Sequence, residues 1–138
     1  MGSALIVQGG WQGHQPAEVA AIFAEILRGE GFGVKVAAPL EAYATEPLGE
    51  LDLIVPLWTM GKIAPEQARP LLAAVAEQGV GMAGCHGGMC DAFRENTEYQ
   101  FMTGGQWVAH PGNDTVTYPV QIVDRGHEIT AGLEDFTI

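Results

Sequence analysis

The chain has 138 residues, 47% of them hydrophobic, and its seventeen acidic against six basic residues give a formal net charge of −11. That length and apolar content suit a single domain with a real core, while the charge repels phosphate backbones and anionic headgroups, so neither nucleic acid nor membrane is an expected partner. No apolar run approaches the eighteen or so residues of a spanning helix, and the N-terminus lacks the regions of a signal peptide, so a cytoplasmic protein is expected.

Ala4 to Val7 is a short apolar run closed by Gly9 and Gly10, and it reads as a strand. Pro16 to Glu30 follows with Val19, Ile22, Phe23, Ile26 and Leu27 at helical spacing, Pro16 suiting the first turn and Gly29 or Gly31 the end. Val34 to Ala37 and Leu51 to Trp58 read as the second and third strands. Pro65 to Gln78, with Leu71, Leu72 and Val75 on one side, reads as a second helix, and Gly79 to Cys85 as a fourth strand. Short apolar strands separated by helices predict a flavodoxin-like three-layer α/β sandwich with a mostly parallel sheet, buried on both faces. Val116 to Val123 reads as a further strand, and Asp124 to Ile138 carries turn chemistry around Gly126 and Gly132.

In such a sheet, ligands gather beyond the carboxyl ends of the strands. The loops there carry Trp11 and His14, Trp58, and the run Gly84-Cys85-His86-Gly87-Gly88. A strand that turns sharply into a helix, with small residues on either side of one exposed side chain, is a nucleophile elbow. With Cys85 central the flanks are Ala83 and Gly87; with His86 central they are Gly84 and Gly88, which fits the two-glycine pattern. A cysteine there is a thiolate nucleophile for amide or ester transfer. A histidine there is held neutral by the helix dipole and acts as base, donor or ligand. Cys85 is then expected to be a small buried hydrophobe beside it. Neither Cys85 nor Cys90 is placed to form a structural disulfide.

The early GGWQGH (Gly9 to His14), PLWTMGKI (Pro56 to Ile63), GCHGGMCDAFR (Gly84 to Arg94), YQFMTGGQWVAHPG (Tyr99 to Gly112) and GHEITAGLEDF (Gly126 to Phe136) together give a chain that resembles the ThuA-like, or trehalose utilisation, family. The resemblance implies a class I glutamine amidotransferase-like fold in which histidine occupies the amidotransferase cysteine position, here His86, so glutaminase chemistry is not expected. It also implies a role in the use of trehalose or a related disaccharide or glycoside, with no settled reaction attached. His14, His86, His110, Trp11, Trp58, Asp91 and Arg94 fall on its motif positions. Members usually continue past the residues matching Phe136 to Ile138, so the chain reads as a fragment or a shortened member, and a sheet lacking its last strands exposes an edge that favours a homo-oligomer or a partner segment.

The candidate site places His86 and Asp91 in catalytic roles, Asp91 either orienting the imidazole or pairing with Arg94 three residues on. Trp11, His14, Trp58, Gly87, Arg94 and His110 are the candidate substrate-binding residues. Trp11, Trp58 and Trp107 offer aromatic faces suited to a pyranose. A metal site built from His14, His86 and His110 would suit zinc or another imidazole-preferring divalent ion, but no pair has helical ligand spacing, and separate hydrogen-bonding roles are favoured. The glycine pairs lack phosphate-loop spacing, so no nucleotide cofactor is expected. The alternatives are a non-catalytic ligand-binding or regulatory domain that kept the fold, and a Cys85 hydrolase.

Overall fold

The computed structural model describes residues 1–113 and 115–138. They form two compact units, Met1–Trp107 and Val108–Ile138.

The first unit is built on a four-stranded parallel sheet in the order β2-β1-β3-β4. Its strands are β1 (Ser3–Gly10), β2 (Gly33–Ala37), β3 (Leu53–Thr59) and β4 (Gly81–Met82). Because side chains alternate along a strand, β1 sends Leu5 and Val7 to one face and Ile6 to the other, and β3 divides Ile54 from Val55 and Leu57 in the same way.

Helix α1 (Pro16–Gly29) covers the Ile6 face through Ala20 and Ala24, whose small side chains let the helix approach the sheet. The opposite face is covered by α2 (Ala42–Thr45), α3 (Pro65–Ala76) and α5 (Thr97–Thr103), which contribute Tyr43, Leu71 and Tyr99 to one core with Leu5, Val7 and Ile54. The expected three-layer arrangement with a parallel sheet is therefore present. Among the described residues, no helix is long and apolar enough to cross a membrane.

Three expectations are corrected. The apolar run Gly79–Cys85 forms a strand only at Gly81–Met82: Gly79 turns the chain at a φ of 76°, and beyond Met82 a single ladder-like bond from Ala83 N to Ile54 O continues the pairing. The β2 strand is not buried on both faces but is a largely exposed edge, with Lys35 paired to Glu46 at 2.7 Å, a charge that discourages pairing with another chain. In the second unit, Val116 to Val123 supplies only β5 (Pro119–Val120), paired antiparallel with β6 (Phe136–Thr137).

Candidate functional site

In the parallel register, Gly9 lies opposite Trp58 and Gly10 opposite Thr59, so the carboxyl ends of β1 and β3 stand side by side. The Trp11 amide donates to the Thr59 carbonyl at 3.2 Å, closing the loop after β1 onto the end of β3. That loop then makes one 3-10 turn, Gln12–His14, before Pro16 starts α1. His14 is thereby held over Thr59, with its Nδ1 2.8 Å from the Thr59 hydroxyl. Thr59 is only 2% exposed, so this hydrogen bond is sheltered from water and fixes which imidazole edge faces outward.

On the other side of Thr59 stands the elbow. Cys85 has extended backbone, φ −143°, whereas His86 has a φ of 52°, in the left-handed region that a side chain beyond glycine adopts only under constraint. The backbone thus assigns the strained position to His86, as the two-glycine spacing predicts. From there α4 (His86–Cys90) begins.

The His86 and His14 rings meet edge to face, with centroids 4.7 Å apart, and Trp11 meets His14 in the same manner at 4.7 Å. The glycines after His86 make this approach feasible. A Cβ at Gly87 would lie 2.7 Å from His14 Cε1 and 3.1 Å from Thr59 Cγ2, and one at Gly88 would lie 3.1 Å from Leu57 Cα.

His14, Thr59, Cys85 and His86 line a cavity of 240 Å³ whose remaining walls include Pro16, Val19 and Leu57. This is below the range of about 300–1,000 Å³ typical of small-molecule clefts, so it suits one ring or a small polar group rather than a large ligand. Cys85 is exposed and lines this cavity, which corrects the expectation of a buried thiol: β4 ends at Met82, so Cys85 stands beyond the strand rather than within the core.

Asp91 is buried, and its carboxylate accepts a hydrogen bond from Arg94 Nε. Among the described residues no hydrogen bond joins it to His86, so the pairing role, rather than orientation of the imidazole, is the one with a contact behind it. The backbone around Asp91 ties the elbow to β3: the Met60 amide donates to the Asp91 carbonyl at 2.8 Å, and the Phe93 amide to the Met60 carbonyl at 3.2 Å.

Arg94 and Trp58 line cavities other than that of the imidazoles. Arg94 lines a separate cleft with Gln100 and Phe101. Trp58 packs on the core with Tyr43 and lines another cavity near Lys62 and Gln67, and its indole nitrogen is buried without a hydrogen-bond partner among the described residues. His110 belongs to the second unit and is exposed. Among the described residues, no three His, Cys, Asp or Glu side chains are placed to share a metal ion. Thr59 is the site residue that spacing did not reveal; its one signal is a hydroxyl at the end of an apolar strand.

An open parallel sheet whose carboxyl edge presents a histidine at a strained strand-to-helix turn defines the class of this molecule. Within that class, the chain belongs to the ThuA family, whose model, described as trehalose utilisation, matches residues 3–138. Among solved structures it is similar to a ThuA-like protein from Bacteroides uniformis, with a TM-score of 0.70 and 21% identity over 99% of this chain. The chain spans 57% of that protein's length. No curated protein matches it significantly.

Proposed function

We propose that this chain binds or acts on a small carbohydrate-derived ligand, trehalose or a related glycoside, through a site centred on His86. The observation that carries this reading is the strained elbow at His86, set edge to face with a second imidazole that Thr59 holds in place. Strain of this kind persists where the surrounding structure over-determines it, and such places are often functional.

An imidazole accepts or donates a hydrogen bond at a sugar hydroxyl, and Trp11, 52% exposed and in ring contact with His14, supplies an aromatic face beside it. The small volume means that one ring of a disaccharide enters while the other stays at the rim. The test is titration of the protein with trehalose while the His14 and His86 ring signals are followed by NMR. Both should move together, and His86→Ala should abolish the response of His14. A His14 signal that still responds in His86→Ala would contradict a His86-centred site.

A second reading, hydrolysis by Cys85, is favoured by one observation: Cys85 is exposed and lines the same cavity as both imidazoles. Alkylation with iodoacetamide near neutral pH decides it. The His86 reading predicts that Cys85→Ser retains ligand binding and any turnover, whereas loss of turnover with binding intact would assign the chemistry to the thiol.

A further inference from the structure

We infer that the cleft beside α5, lined by Arg94 and the Gly104-Gly105 turn, is a second binding site, for a neutral pyranose ring. The cleft measures 430 Å³ and is walled by Arg94, Thr97, Gln100, Phe101 and Gln106 around the Gly104-Gly105 turn. That volume falls within the range that encloses a small molecule.

Phe101 is 87% exposed at this cleft, a large aromatic face with no apolar cover, suited to lie against the C–H face of a sugar ring. The polar groups around it are planar and oriented. Gln100 Nε2 donates to the Ala92 and Phe93 carbonyls at 3.1 and 3.4 Å, which fixes the amide and leaves its Oε1 as a buried acceptor without a hydrogen-bond partner among the described residues.

Arg94 is held through Nε by the buried carboxylate of Asp91, so its remaining donors are pre-positioned on the cleft. Among the described residues that line the cleft Arg94 alone is charged, and Asp91 behind it balances that charge. An uncharged, hydroxyl-rich ring matches this set better than an anion. The inference shares the carbohydrate class with the function proposed above but rests on different residues, and it gives Asp91 and Arg94 a common purpose outside the imidazole cavity.

The experiment is titration of the isotope-labelled full chain with methyl α-D-glucopyranoside, with D-glucuronate and inorganic phosphate as separate arms, following the Gly104 and Gly105 amides and the Arg94 Nε–H signal. The glucoside is expected to shift all three. Phe101→Ala, a change at an exposed side chain that leaves the core intact, is expected to weaken that response about tenfold, the size of one aromatic contact. His86→Ala is expected to leave it unaltered, so that failure of the imidazole site and failure of this one are read separately. No response to the glucoside, a stronger response to glucuronate or phosphate, a glucoside response that survives Phe101→Ala, or its loss in His86→Ala would each overturn the proposal.

Discussion

Gly87 shows how closely single residues set the imidazole pair. Its missing side chain is the space that the His14 ring occupies, and the neighbours a methyl group would meet there are the ring itself and the buried Thr59 methyl. Gly87→Ala should therefore push His14 off the Thr59 hydroxyl, at a cost of about 1–3 kcal/mol of stability, typical of overpacking. Urea unfolding measures the cost, and the His14 ring signal reports the displacement. An unchanged ring signal would mean that the elbow, not the imidazole, gives way. The one-residue choice between Cys85 and His86 was legible in the glycine spacing, and the positive φ falls on the residue that the spacing selects. The exposure of Cys85 was not legible, because residue type favours burial while the end of β4 at Met82 decides the outcome.

At the scale of elements, β1, α1, β2, β3 and α3 are readable because their apolar positions repeat with the period of the structure they form. Helix α2 is a four-residue turn, too short to establish a period. Helix α5 carried a usable signal: Asn96 caps it by accepting from the Tyr99 amide at 3.0 Å, and Gly104 ends it at a φ of 74°.

These two elements dock through Tyr43 and Tyr99, both fully buried, and neither hydroxyl has a partner among the described residues. Because such a hydroxyl is desolvated without return, Tyr43→Phe and Tyr99→Phe should each raise stability, by about 1 kcal/mol. Chemical denaturation checks this, and a loss of stability would show that the hydroxyl is bonded in solution. Trp58 belongs with these elements as well. Its position at a strand end suggested a pocket rim; it does line a cavity, while its apolar body also packs on the Tyr43 core.

Across the whole molecule, the same two tyrosines set the response to alkali. Burial raises the Tyr43 and Tyr99 phenols above their ordinary value, with Tyr99 adding to the rise at Tyr43 and the Cys90 thiol to that at Tyr99. The folded chain therefore holds these protons more tightly than the unfolded chain. Their contribution is fully present below the unfolded tyrosine value, about pH 10, and is lost as pH rises above it. Unfolding midpoints compared at about pH 8 and about pH 11 should fall in the native protein and fall less in the Tyr43→Phe, Tyr99→Phe double variant.

Family membership extends over residues 3–138, while the parallel α/β architecture and the imidazole pair belong to the first unit. What links the two is the proposal that His86 is the centre at which a carbohydrate ligand is held. The most direct test is NMR titration of the full chain with trehalose, read at the His86 and His14 rings. The account predicts concerted, saturable shifts at both rings that vanish for His14 in His86→Ala, whereas saturable binding that leaves both rings unmoved would contradict it.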